Sequence, residues 1–270
     1  LGGLIAAATG RRGSDVLAGA AIGAVAGGVT GGTVGYLQAR QQQAADQASL
    51  NRSIALDLAA ENAQLDRTQI AFDQLMDCRV ATAQRIRADF ASGRLSRPQA
   101  EAMMANERAR TQRDIQLAQS INGRITQRGA EFDTAVESVA PGTKGQVLAG
   151  ASVGRPVPVQ ARATVPLKLR PDPASPEIAR VNARERVTLQ PAPAGFALVE
   201  TPSGVRGYAP ANAFPEARNI GTRPTPVAVG AEGGDVRSLA ASNIARRDNF
   251  SESVGNAERL VQGQGFELAS

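Results

Sequence analysis

The 270-residue chain has no histidine, no tryptophan and a single cysteine, Cys78. Without histidine, Ser-His-Asp and Cys-His nucleophilic sites and every His-containing zinc site are excluded. One cysteine rules out an internal disulfide framework. Two readings remain for Cys78, which stands in a helical stretch beside Met76 and Val80: apolar packing, or an intermolecular disulfide across a symmetric bundle. Aromatic residues make up only 3% of the chain, too few for a large globular core. Alanine, glycine, glutamine and arginine point instead to long helices and linkers. No phosphate loop or other catalytic constellation occurs. Gly263–Gln264–Gly265 lacks the strand and helix context of a nucleotide site. The expectation is a non-enzymatic chain with no catalytic residues, no cofactor and no metal.

The net charge of +5 is carried almost wholly by arginine, since Lys144 and Lys168 are the only lysines. The arginines alternate with Asp and Glu along helical stretches and have no aromatic platforms beside them. That pattern describes solvated helix faces and argues against nucleic acid, whose binding would fall steeply with salt.

The stretch that stands out is uncharged, Val16 to Leu37. Gly19, Gly23, Gly27, Gly31 and Gly35 recur at four-residue spacing. On a helix they share one face, a groove without side chains. Each glycine costs roughly 1 kcal/mol relative to alanine in a water-exposed helix. Close helix–helix contact offsets such a cost, above all in membranes. About 22 residues at ~1.5 Å rise span roughly 33 Å, enough to cross a bilayer core. Arg11 and Arg12 before the run favour keeping that end cytoplasmic and the remainder outside. The run resembles the glycine-zipper segments of bacterial envelope proteins, over roughly Leu4 to Leu37. The chain begins at Leu1 rather than Met, which implies an upstream segment. A lipidated cysteine there would make the chain a lipoprotein.

From Gln38 to about Ala91 the sequence predicts one long polar helix. Leu58, Leu65 and Phe72 recur every seven residues, with Ile54, Leu75, Ala83, Ile86 and Phe90 extending the stripe. So narrow a seam suits a coiled coil. Gly93 supplies a left-handed stop, Ser96 a cap and Pro98 a first turn. A second helix to Val139 then returns antiparallel. Its stripe is Ala118, Ile121, Ile125, Phe132, Ala135 and Val139; Gly123 and Gly129 permit close approach.

Residues 163 to 214 read as short strands punctuated by Pro and Gly turns: Val165–Arg170, Ile178–Val181, Arg186–Leu189, Phe196–Thr201 and Val205–Ala209. The order of landmarks is similar to a bacterial SH3 domain. Leu167–Lys168–Leu169–Arg170 matches the opening strand, and Gly204–Val205–Arg206–Gly207–Tyr208–Ala209 the closing one. Phe196 and Tyr208 stand where tryptophans are usual. The resemblance implies peptidoglycan or protein binding, with Tyr208 as the candidate ligand surface and a core role as its alternative.

The expected fold is mostly α with a small all-β domain. It comprises a glycine-zipper membrane segment (1–37), a coiled-coil hairpin (38–140), a linker (141–160), an SH3-like barrel (161–216), a second linker (217–234) and a C-terminal helix (235–270). The expected role is a membrane-anchored scaffold of the cell envelope with its hairpin and barrel in the periplasm. Its partners are membrane lipid, other copies of the chain or a larger envelope complex, and peptidoglycan. The alternative is a pore-forming or accessory ring subunit of an envelope transport machine.

Overall fold

The structure is a computed structural model, described over residues 33–150, 155–215, 220 and 235–268. It is mostly helical, with one six-stranded antiparallel sheet. The helices are α1 (Thr33–Gln43), α2 (Gln47–Ala91), α3 (Arg97–Val139), α4 (Thr143–Gly150) and α5 (Val236–Gln262). The strands are β1 (Val157–Gln160), β2 (Val165–Lys168), β3 (Glu177–Val181), β4 (Arg186–Pro191), β5 (Phe196–Glu200) and β6 (Arg206–Pro210). Among the described residues no helix is long and apolar enough to cross a membrane. The run before Thr33, with Gly19, Gly23, Gly27 and Gly31, lies outside the described residues.

The chain divides into two compact units, and α2, α3 and α5 each contribute a segment to both. The first unit contains α1, α4 and residues 47–73, 117–139 and 236–252 of the long helices. Its core joins Tyr36, Leu50, Ile54, Leu58, Phe132, Val136 and Leu239. The expected uninterrupted helix from Gln38 is broken at residues 44–46. There Asp46 caps a new start: its Oδ1 accepts the Ser49 N–H at 2.7 Å, and Ser49 Oγ accepts the Asp46 N–H at 3.0 Å. Two reciprocal bonds satisfy donors that a helix start leaves open. Asp235 repeats the device at the head of α5, accepting the Ser238 N–H at 2.7 Å. These bonds hold both carboxyls below the usual aspartate range.

In this unit the seam of α2 is wider than a coiled coil needs, because Asn62, Thr68 and Ala71 are buried beside Leu58, Leu65 and Phe72. Two helices, not one, cover it. Phe72 meets Phe250 of α5 edge-on at 5.7 Å, and Asn62 donates to the Leu239 carbonyl at 3.1 Å while accepting from Asn243 at 3.0 Å. Here α5 joins the hairpin, and the packing is of three helices.

The second unit contains residues 74–116, the sheet and residues 253–268. Its helical turn follows expectation: Gly93 takes φ of 75°, and Ser96 bonds Gln99 Oε1 through both its N–H (3.0 Å) and its hydroxyl (2.8 Å). Across the two arms Arg79 pairs with Asp114 at 2.7 Å and with Glu107 at 3.1 Å, two carboxylates that are otherwise buried. Such a pair is costly to break from one side only.

The sheet order is β1-β4-β5-β6-β2-β3, antiparallel throughout. Alternation sends Val165, Leu167, Val187, Leu189, Ala197, Val199 and Ala209 to one core, which Phe214 and Ile220 complete. At Gly207 a Cβ would lie 2.8 Å from Leu167 Cβ, so only glycine allows β2 and β6 to close together there. All five expected strands form. The expected linker 141–160 does not stay a linker: it supplies α4 and β1, which pairs with β4 through Val157↔Leu189 and Val159↔Val187. Pro156 and Pro158 disguise β1, but an edge strand tolerates proline.

Candidate functional site

In the first unit, α1 is fastened by Tyr36, only 2% exposed. Its ring meets Phe132 edge-on at 5.2 Å, and the Arg128 guanidinium lies 5.1 Å from its centroid and 4.7 Å from that of Phe132. The Tyr36 hydroxyl donates to Asp57 Oδ2 at 2.6 Å, and Arg40 reaches the same carboxylate oxygen at 2.7 Å. Arg128 also pairs with Glu131 at 2.7 Å and approaches Glu61 at 3.8 Å. Burial pushes the Glu61 carboxyl up, and the nearby Arg128 and Arg247 charges only partly oppose it. Next to this group, Asp133 receives Arg247 at 2.6 Å and Lys144 at 2.8 Å. Arg247 reaches it by crossing Gly129, where a Cβ would lie 1.8 Å from Arg247 Nη1. The anticipated close approach at Gly129 is thus to a side chain of α5. A Cβ at Gly123 would meet nothing within 4 Å.

In this collar an aromatic ring sits in an apolar seat, with its polar end and rim closed by charged bonds. It also alters the reading of the apolar run. Tyr36 and Leu37, expected as the end of a membrane segment, pack on the helical body instead. Gly35 is described and helical, but a Cβ there would meet nothing within 4 Å.

In the second unit Tyr208 is 5% exposed and forms a second apolar cluster with Ala192, Phe196 and Leu198, on the face of β5 and β6 opposite the main core. The Asn256 side-chain amide of α5 donates to its hydroxyl at 3.0 Å. Of the two roles expected for Tyr208, ligand surface or core, the structure places the ring in a buried cluster with its hydroxyl bonded to α5. Glu200 at the end of β5 binds Arg206 at 3.0 Å and approaches Arg259 of α5 at 3.6 Å.

The end of α5 is held through its backbone. Arg108 Nε donates to the Val261 carbonyl at 3.0 Å, and its Nη2 reaches the carbonyls of Gln262 (3.3 Å) and Gly263 (3.4 Å). Arg87 donates to the carbonyls of Glu267 (2.9 Å) and Gly265 (2.8 Å). Helix C-termini leave such acceptors unsatisfied and carry partial negative charge, which a guanidinium fits in both respects. No pattern along the chain signals this clamp, since it joins side chains to carbonyls more than 150 residues away.

Between β3 and the segment after α5 lies a groove of about 560 Å³, lined by residues that include Arg87, Ile178, Arg180, Val205, Arg259 and Leu260. Among the described residues no three His, Cys, Asp or Glu side chains converge as a metal site. Comparison with protein-family models, with curated proteins and with solved structures finds no match to the chain.

Proposed function

We propose that the chain is a non-enzymatic, membrane-anchored scaffold of the bacterial cell envelope. The five-glycine run oligomerises and anchors it, the helical body spaces, and the six-stranded domain, SH3-like in its landmarks, docks to peptidoglycan or to a protein partner. The observation that carries this reading is the continuity from the glycine run into α1, whose Tyr36 is locked on the helical body. In this reading a position imposed on the run is passed to α2 and α3 through the buried Tyr36 ring. The span itself is taken to end before Tyr36, which packs against protein.

The test is native mass in mild detergent together with retention in washed membranes. A discrete homo-oligomer that stays with the membrane is expected, and Gly27→Leu should release both properties. A monomer removed by the wash, or a Gly27→Leu chain that assembles and stays bound like the wild type, would sink the reading.

A further inference from the structure

The buried side of α2 in the first unit is packed, but its outward side stands open. Arg52, Leu56, Ala60, Ala63, Arg67 and Ile70 follow one another at three- or four-residue spacing, and all six are exposed. On a helix such positions form one narrow stripe. Leu56 is 54% and Ile70 55% exposed, and the described residues leave only two other large apolar side chains so open, Met103 and Leu148. The stripe carries no acidic residue. Carboxylates on its flanks are held by the body of the chain: Asp57 by Tyr36 and Arg40, Asp66 by Arg246. Arg67 bonds Gln64 Oε1 at 3.4 Å rather than a carboxylate.

The stripe is symmetric about Ala63. Leu56 precedes it and Ile70 follows it by the same two helical turns. A second α2 laid antiparallel, with a twofold axis at Ala63, therefore puts Leu56 of each copy on Ile70 of the other. Ala63 meets Ala63, Arg67 comes over Ala60, and Arg52 comes beside the flank that carries Asp73, whose Oδ1 accepts Gln69 Nε2 at 2.9 Å. No arginine faces an arginine. A parallel pairing would set Arg52 on Arg52 and Arg67 on Arg67, a like-charge arrangement that interfaces avoid. A foreign helix has no need of anchors equidistant from one alanine, whereas an isologous contact does.

We propose that α2 packs antiparallel on α2 of a second copy of this chain, with Ala63 on the twofold axis. The alanines let the two helices approach toward the close end of the usual axis separation of about 8–10 Å. The contact lies wholly in the helical body and uses no part of the glycine run, so it goes beyond the anchor reading.

Cysteine cross-linking on the full chain tests it, in a Cys78→Ser background with a mild oxidant and a non-reducing gel. Helix axes about 8–10 Å apart leave facing Cα atoms roughly 3.5–5.5 Å apart, within reach of a disulfide. The Ala63→Cys chain should link to itself. Leu56→Cys and Ile70→Cys chains should link when mixed and not when alone, because like positions then stand about 21 Å apart along the helices. Gln127→Cys, exposed on α3, gives the yield of random collision. Adding Ile70→Arg to the Ala63→Cys chain should abolish its link by forcing a charge against Leu56. The exposed site should leave the melting temperature unchanged, and Ile70→Gln carries the comparison if it does not. Self-linking by Leu56→Cys or Ile70→Cys alone would show a parallel contact and overturn the proposal. So would yields no higher than that of Gln127→Cys, which would leave the stripe to another protein or to lipid. A chain that is oligomeric and membrane-bound without these links defeats this inference alone. One that forms them yet washes off the membrane defeats the anchor reading alone.

Discussion

The Asn256 side-chain amide donates to the Tyr208 hydroxyl at 3.0 Å, and both residues are at least 95% buried. This bond joins the outer face of β5 and β6 to α5, and Asn256 Oδ1 finds no partner of its own. Tyr208→Phe leaves the amide buried without that acceptor, at a cost of about 1–3 kcal/mol. Asn256→Leu in the same chain removes the stranded group and should restore part of the loss. Denaturant unfolding of the two single variants and the double variant measures the coupling. Simple additivity would show that the contact carries no energy.

Gly129 and Gly123 sit on the same helix and should respond to alanine in opposite senses. At Gly123 an added Cβ would meet nothing within 4 Å, so Gly123→Ala gains roughly 1 kcal/mol of helix propensity. At Gly129 the added Cβ strikes Arg247 along its side chain and drives it from Asp133. Gly129→Ala should therefore lower the melting temperature in the wild type and raise it in an Arg247→Ala background. The reversal of sign is the measurement, and a rise in both backgrounds would show that Arg247 yields freely.

How much of this was legible in the sequence depends on range. Gly93, Ser96 and the five strands of residues 165–210 rest on local turn chemistry and alternation, and they form as those signals predict. The Asp46–Ser49 and Asp235–Ser238 caps were equally local, but a continuous polar pattern around Asp46 masked the first. Cys78 shows the limit of reading neighbours. Met76 and Val80 are buried, yet a residue two positions from each on a helix points elsewhere, and Cys78 is exposed. The collar, the Tyr208–Asn256 bond and the arginine clamps join residues that are mostly distant along the chain. Composition and spacing carry no information about such pairs.

Glu61 gives the first unit a pH dependence of definite sign. Its folded-state pKa is raised, by burial first, with Arg128 and Arg247 opposing. The folded state therefore holds the proton more tightly than the unfolded chain does. The contribution is fully present below the ordinary glutamate value of about 4.3 and is lost as pH rises through the higher folded value. Glu61→Gln keeps the shape without the charge. At pH 7.5 it should melt no lower than the wild type, and the difference should narrow as pH falls toward the ordinary glutamate range. A variant that melts well below the wild type at pH 7.5 would mean that the Arg128 pairing outweighs the burial.

Neighbouring residues of α1 separate seating from assembly. Tyr36 fills the collar, so Tyr36→Ala removes a buried ring and strands Arg128 over an empty seat, at a cost of about 3–5 kcal/mol. Hydrogen exchange should then report loss of protection along residues 33–43 while the 155–215 sheet keeps its own. A Cβ at Gly35 would meet nothing within 4 Å, so Gly35→Ala leaves protection there unchanged or raises it slightly through helix propensity. The informative comparison is the native mass of the same two variants in detergent. If the glycine face is the contact between copies, Gly35→Ala weakens assembly with the fold intact, whereas Tyr36→Ala loosens the joint and leaves assembly in place. The opposite pairing would move the contact between copies from the glycine run to the helical body.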